Sequence, residues 1–355
     1  MDTIYNLFPR LSSALDSWLR GFLPADVVTV LMALISIVII LLLLAFVFLV
    51  MTYLERKIIA RIQDRWGPNR AGPWGLLQPI ADMIKMFTKE DIVPDKADKV
   101  VHLLAPMLVA AVPFIAFSVI PFGRGMSAVD LDIGILFVIA VTSPAAIGIL
   151  MAGWGSNNKY SLLGGMRAVA QLVSYEVPMA LSLLVVVMLA GSLSMQKIIG
   201  AQAGPGNIGL GWFIFYFPVG PIAFLTYFVS AVAETNRSPF DIPEAESEIV
   251  AGYHTEYTGM KFGLFQMGEY VTTFAQCCII TTLFLGGWQG PVLPSYIWFG
   301  LKVSALIFVF MWMRGTLPRL RVDELMGFAW KTLVPVTLVN IFVTGILIKL
   351  VQAIS

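Results

Sequence analysis

Eight apolar runs decide what this chain can become. They lie near residues 27–51, 101–122, 131–153, 167–190, 212–233, 262–287, 296–313 and 332–350. Each matches the roughly 30 Å hydrocarbon core of a bilayer, which an α-helix crosses in about 20 residues. Between them little polar surface is left: 58% of the 355 residues are hydrophobic, 13% are charged, and the mean hydropathy is +0.83. Lipid rather than water is the solvent such a composition fits. The expected fold class is all-α, a polytopic membrane helix bundle with about eight transmembrane helices plus a cytoplasmic interfacial amphipathic helix. It forms a single integral membrane domain, 1–355. The first run is too long for the core of a signal peptide and lacks a basic lead-in and a small-residue cleavage site, so the first helix is expected to be retained.

Net charge is +1, which gives no reason to expect nucleic acid as a partner. Its distribution says more. Of the 23 Lys and Arg residues, 17 fall in the loops after the first, third, fifth and seventh runs, 5 fall on the other side, and Lys302 lies inside a run. The positive-inside rule then puts both termini outside and the odd-numbered loops in the cytoplasm. Cys277 and Cys278 are adjacent inside an apolar run, so neither a disulfide framework nor a CxxC pair is available, and no iron–sulfur cluster is expected in this chain. His102 and His254 stand alone, which suits interfacial or core histidines better than ligands.

The first cytoplasmic connection, 52–100, carries a helical pattern of its own. Leu76, Leu77, Ile80, Met83, Ile84 and Phe87 follow one face, while Gln78, Asp82, Lys85 and Lys89 follow the other. Too short and too charged to span, this segment is expected to lie in the membrane interface, either as a plain anchor or as the wall of an opening there. The loop 201–211 is Gly-rich and reads as a connector. No internal repeat pairs the two halves of the chain, which weakens the case for a secondary transporter.

Ionisable residues in mid-membrane cost about 2.5–3.5 kcal/mol on insertion scales and persist mostly where they face a bundle interior or water. In the fourth run Arg167, Gln171, Ser174 and Pro178 share one helical face, while Glu176 lies nine residues from Arg167 and on the opposite side. Neither charge can neutralise the other within the helix. In the sixth run Gln266, Glu269, Thr273 and Gln276 form one polar stripe, and the fifth ends with Tyr227, Ser230 and Glu234 at similar spacing. Such residues act either as interhelical hydrogen-bonding glue and structural ion pairs or as a proton relay. The cytoplasmic loop 234–261 adds Asp241, Glu244, Glu246, Glu248 and Glu256, with Arg237 able to neutralise only one acid. In a partly desolvated site these carboxylates share protons and titrate as a coupled set; in a solvated loop they do not.

Four blocks of this sequence, Tyr53 to Asp91 (YLERKIIARIQDRWGPNRAGPWGLLQPIADMIKMFTKED), Gly153 to Val177 (GWGSNNKYSLLGGMRAVAQLVSYEV), Ala233 to Tyr270, and Arg314 to Met326 (RGTLPRLRVDELM), resemble the H-subunit family of bacterial NADH:quinone oxidoreductase. That family is the counterpart of the mitochondrially encoded subunit 1 of respiratory complex I. The resemblance covers nearly the whole chain in the same order. It implies a non-redox subunit, catalytically silent alone, in a proton-translocating enzyme of the bacterial cytoplasmic (inner) membrane, at the joint between the peripheral and membrane arms. Quinone would be the substrate of the complex, FMN and iron–sulfur clusters would sit in partner subunits, and membrane lipid, the adjacent membrane subunits of the complex and the quinone-site subunits of the peripheral arm would be neighbours.

Carried over residue by residue, Glu176, Glu234 and Glu269 would be the intramembrane acids, and Asp241, Glu244, Glu246, Glu248 and Glu256 the acidic funnel leading from the quinone chamber. Arg56, Arg65, Asp82, Arg237, Phe240, Arg314 and Arg319 would surround the chamber and the contact with the peripheral arm. One departure is Gln266, where family members commonly carry an apolar, often aromatic residue; it implies a more hydrated passage or one shaped for another quinone. Two further classes compete: the ion-translocating membrane subunit of a membrane-bound hydrogenase, and a stand-alone secondary cation transporter. The GPNRAGPWGLLQP block and the PFDIPEAESE loop speak against the first, the missing repeat against the second.

Overall fold

The computed structural model describes residues 7–204, 211–242, 250–291 and 293–354. All regular structure among them is helical. An amphipathic α1 (Leu7–Arg20) leads into the long α2 (Ala25–Ile62), and the interfacial α3 (Gln78–Thr88) follows a tight turn at Pro73–Gly75. Next come α4 (Lys99–Ala116), the pair α5 (Gly134–Thr142) and α6 (Pro144–Gly155), α7 (Lys159–Ala190) and the short α8 (Met195–Ala201). The chain closes with α9 (Val219–Glu234), α10 (Gly259–Phe284), α11 (Ser295–Thr316), α12 (Val322–Phe328), a π-turn at Ala329–Leu333, and α13 (Val334–Ile354).

Every one of the eight apolar windows falls on a helix, but not all are equal. Six segments among the described residues are long and apolar enough to cross a membrane: α2, α4, α5 with α6, α7, α11, and α12 through α13. At 16 residues α9 reaches about 24 Å, short of a full crossing. At 26 residues α10 is long enough, but its polar stripe lowers its hydropathy. The window 27–51 stops too early, because α2 continues to Ile62 and so takes the first eleven residues of the expected cytoplasmic connection into a helix. Met51, Glu55 and Ile58 keep one face turned to the bundle at helical spacing, with Met51 and Glu55 buried. The third window is divided at Ser143, since Pro144 has no N–H to continue the ladder.

Glycines set how closely the helices approach. A Cβ on Gly164 of α7 would stand 2.7 Å from Gly252 Cα, and one on Gly165 would stand 3.4 Å from Gly153 Cα of α6. Such small-residue contacts let backbones meet where lipid supplies no hydrophobic drive. Two apolar clusters result. The larger runs from Leu44 and Phe117 through Tyr175, Tyr227 and the buried face of α10 to Phe310; the smaller gathers Val109, Ile149, Leu172, Tyr253 and Phe265.

The far end of α10 is closed by Lys302 of α11. Its ammonium donates to the carbonyls of Leu285 (2.6 Å), Gly287 (3.0 Å) and Gln289 (2.7 Å) and lies 4.4 Å from the Trp212 ring. A cation there satisfies backbone acceptors that follow the helix end and complements its dipole. At the other end α3 lies against both α2 and α10. Pro79 is buried and Gln78 and Asp82 half-buried, while Leu76, Leu77, Ile80, Ile84 and Phe87 face outward, as an interfacial helix resting on lipid requires.

Candidate functional site

Three helices bring the three intramembrane acids to one place. Glu176 projects from α7, Glu234 closes α9, and Glu269 lies on α10; all three are half-buried and line a single cavity between the two apolar clusters. Its space for water centres totals ≈ 50 Å³, room for a few waters at roughly 10–15 Å³ each and far too little for a quinone ring. Thr142, Ser143, Thr235, Asn236 and Thr272 add hydroxyl and amide groups to the wall.

Each acid has a neutral donor. The hydroxyl of Ser143, at the break between α5 and α6, donates to Glu176 Oε1. Gln276 Nε2 donates to Glu234 Oε2 at 2.7 Å, and its other end accepts from the Tyr227 hydroxyl at 2.7 Å. Tyr227 therefore fixes which way the amide points. Tyr253, from the turn at Gly252–His254, donates to Glu269 Oε1 at 2.9 Å. Glu176 and Glu234 are close enough for their charges to act on one another. Gln171, a turn and a half before Glu176, ties α7 to the end of α9: its Nε2 donates to the carbonyls of Ala233 and Phe240, both at 2.8 Å.

The expected single stripe on α10 serves two compartments. Glu269 and Gln276 face the acid cavity, whereas Thr273 lines a smaller one with Glu55, Arg237 and Arg314. Gln266 is half-buried and lines neither. In the smaller site Glu55 Oε2 pairs with Arg237 at 2.8 Å and Oε1 with Arg314, and the Arg237 guanidinium lies 4.3 Å from the Tyr270 ring. Glu55 is 5% and Arg237 6% exposed, so this ion pair is inside the protein. Sequence reasoning named both arginines and missed Glu55. Its signal was the register of α2, four residues after the buried Met51 on the bundle face, hidden by the charged run in YLERK.

The remaining expected residues spread over the cytoplasmic end. Arg56 bonds Asp82 at 2.5 Å and Gln78 bonds the same carboxylate at 3.0 Å, fastening α2 to α3. Arg65 donates to Gln63 at 2.7 Å and, with Arg56, Arg70 and Trp66, borders an open groove. Phe240 is buried 5.4 Å from the Tyr175 ring, and Asp241 pairs with Arg319 at 3.1 Å. Glu256 accepts from Asn158, which also caps α7, at 2.6 Å. Neither Asp241 nor Glu256 lines the acid cavity, and Glu244, Glu246 and Glu248 lie outside the described residues.

The histidines are packing residues. His102 stacks on Tyr257 with ring centroids 4.0 Å apart, and burial pushes the His254 imidazole down to about 4, so it is neutral at pH 7. No group of three or more His, Cys, Asp or Glu among the described residues is placed to hold a metal ion. Cys277 and Cys278, both buried on α10, do not fit the ligand set of an iron–sulfur cluster.

Residues 35–345 match the family model described as NADH dehydrogenase. Among curated relatives, the H subunit of the NADH-quinone oxidoreductase of Dehalococcoides mccartyi strain CBDB1 is 54% identical over 313 residues, covering 88% of this chain and 86% of its own length. The second H subunit of the NADH-quinone oxidoreductase of Geobacter sulfurreducens is 52% identical over 304 residues, 83% of this chain and 90% of the relative. The H subunit of the Carboxydothermus hydrogenoformans enzyme is 46% identical over 351 residues, 96% of each chain.

Proposed function

Since the chain belongs to the NADH dehydrogenase family, as a multi-pass membrane subunit of the NADH-quinone oxidoreductase kind, we propose that it forms the quinone chamber entrance with the peripheral arm and couples quinone reduction to proton translocation through its buried carboxylates. The observation that carries this reading is the convergence of Glu176, Glu234 and Glu269, from three separate helices, on one narrow polar cavity.

The mechanism follows from electrostatics. Quinone reduction in the complex creates negative charge or consumes protons at the cytoplasmic end, changing the field on Arg237, Arg314 and the acidic loop 234–261. The loop exchanges protons as a coupled set. Glu234 stands at the start of that loop and senses Glu176 across the cavity, so a proton arriving at one weakens the repulsion on the other. The donors Ser143, Gln276 and Tyr253 hold each carboxylate in place while charge comes and goes. Arg56, Arg65 and Asp82, on α2, its following loop and α3, frame the entrance beside α10 and face the peripheral arm. FMN and iron–sulfur clusters belong to partner subunits, which supply the electrons. The chain sits in the bacterial cytoplasmic membrane with both termini outside.

The test uses the assembled complex in sealed vesicles. Glu176→Gln and Glu246→Gln variants are expected to keep quinone reduction in uncoupled membranes while pumping fewer protons per electron. Full coupled translocation in both would remove the relay role. The hydrogenase and lone-transporter readings are settled by isolating the native assembly. Flavin, iron–sulfur clusters and NADH to quinone activity in it support the present reading; nickel without quinone activity, or a lone chain carrying ions, overturns it.

A further inference from the structure

Ser143 is placed to do more than hold Glu176. Its single hydroxyl proton has two acceptors within reach: the Glu176 carboxylate and the carbonyl of Ile139 at 3.0 Å. A serine hydroxyl donates once and accepts with its lone pairs, so the two bonds alternate. The Ile139 carbonyl already accepts the Ser143 backbone N–H at 3.2 Å and is also reached by the Thr142 hydroxyl at 3.1 Å. With two lone pairs it takes one hydroxyl at a time, from Thr142 or from Ser143. Thr142 and Ser143 both line the acid cavity.

The geometry points to a paired hydroxyl rotor that reads the protonation state of Glu176. It rests on the relay reading above and names two positioning residues for it, Ser143 and Thr142. When Glu176 is ionised, Ser143 donates to the carboxylate and Thr142 occupies the Ile139 carbonyl. When a proton from the cavity lands on Glu176, the carboxylic O–H donates to Ser143 Oγ. The Ser143 proton turns to Ile139, and the Thr142 hydroxyl is released toward the cavity. One proton is gained in total, on Glu176; the two hydroxyls keep theirs and only rotate. Both states leave every polar group bonded or facing the cavity, so neither carries the penalty of a buried unpaired group. The break at Pro144 is what places Ser143 here, at the junction of α5 and α6.

The experiment is infrared difference spectroscopy on the assembled complex, stepping pH and redox state, in ordinary and heavy water. The Glu176 carboxylic C=O band is the one that Glu176→Gln abolishes. The expected result is that Ser143→Ala moves this band to higher wavenumber and shrinks its isotope shift, Ser143→Thr restores both, and Thr142→Val, which removes the competitor for the Ile139 carbonyl, leaves the band in place but keeps it present to higher pH. A Glu176 band that Ser143→Ala leaves unmoved, in a complex that still reduces quinone, overturns the rotor while leaving the relay standing. If no band disappears in Glu176→Gln, Glu176 does not change protonation and both ideas fail. Should Ser143→Ala fail to assemble, Ser143→Cys keeps the volume with a weaker donor and is read on the same band.

Discussion

Two polar sites share α10, and they are built on opposite principles. The acid cavity gathers three carboxylates with neutral donors, and no described Lys or Arg lines it. The Glu55 site gathers two guanidinium groups on one carboxylate, with an aromatic face and almost no free space. Closely paired charges inside a protein are fixed, because loss of either partner strands the other at a cost of about 3–5 kcal/mol. Glu176 and Glu234 are held by a hydroxyl and an amide, neutral donors that can stay in place when a proton is added. The difference sets a closed ion-pair joint against an open carboxylate cavity, although both lie in the same bundle.

The comparison is broken most severely at the joint. Glu55→Gln removes the carboxylate that Arg237 and Arg314 share, and a loss of about 3–5 kcal/mol is expected. It is measured as a lower melting temperature of the purified complex, or as failure to assemble. A smaller change is expected at the cavity, where Glu234→Gln keeps the shape of the side chain. Stability should move by less than about 1.5 kcal/mol, the net scale of the single Gln276 hydrogen bond. Protons translocated per electron should nevertheless fall sharply in vesicle assays. If Glu234→Gln destabilises as much as Glu55→Gln, the distinction between the sites is wrong.

A third test uses His254. Burial lowers its affinity for protons from the ordinary 6.5 to about 4, so the unfolded chain binds a proton that the folded turn does not. Stability from this group is complete above about pH 6.5 and is lost as pH falls toward 4, by at most about 1.4 kcal/mol per unit. Acid titration of hydrogen exchange at the Gly252–His254 turn should show this slope, and His254→Gln should flatten it. The smallest effect belongs to the surface. Asp132 and Lys197 pair at 2.7 Å, which pulls the aspartate below its usual range and raises the lysine, yet both are exposed. Asp132→Asn should leave the melting temperature unchanged within error at moderate salt.

Hydropathy alone made the helical windows legible, because about 20 apolar residues in a row have few other uses. It did not reveal that α9 is short or that α2 runs on to Ile62, since those depend on which residues the bundle covers. The convergence of Glu176, Glu234 and Glu269 was foreshadowed by the spacing of polar residues on their helices. Ser143 was not, because a serine before a proline in an apolar run carries no sign of what faces it. The helix at Leu7–Arg20 also escaped notice; its apolar positions recur at helical spacing, but it is too short and polar to register as a span. Glu55 was missed for the converse reason: beside Arg56 and Lys57 it looked like one solvated charge among several.

Gly164 puts the acid cavity under an unusual hereditary constraint. The hydrogen it carries in place of a side chain faces Gly252, the first residue of the turn that presents Tyr253 to Glu269. Every single-base missense change in a glycine codon adds at least one carbon, and even alanine would drive that carbon to within 2.7 Å of the neighbouring backbone. No conservative step is open, and the strain of any step falls on the turn that holds the third acid. Position 164 is therefore closed to gradual replacement, although the residue carries no charge and handles no proton.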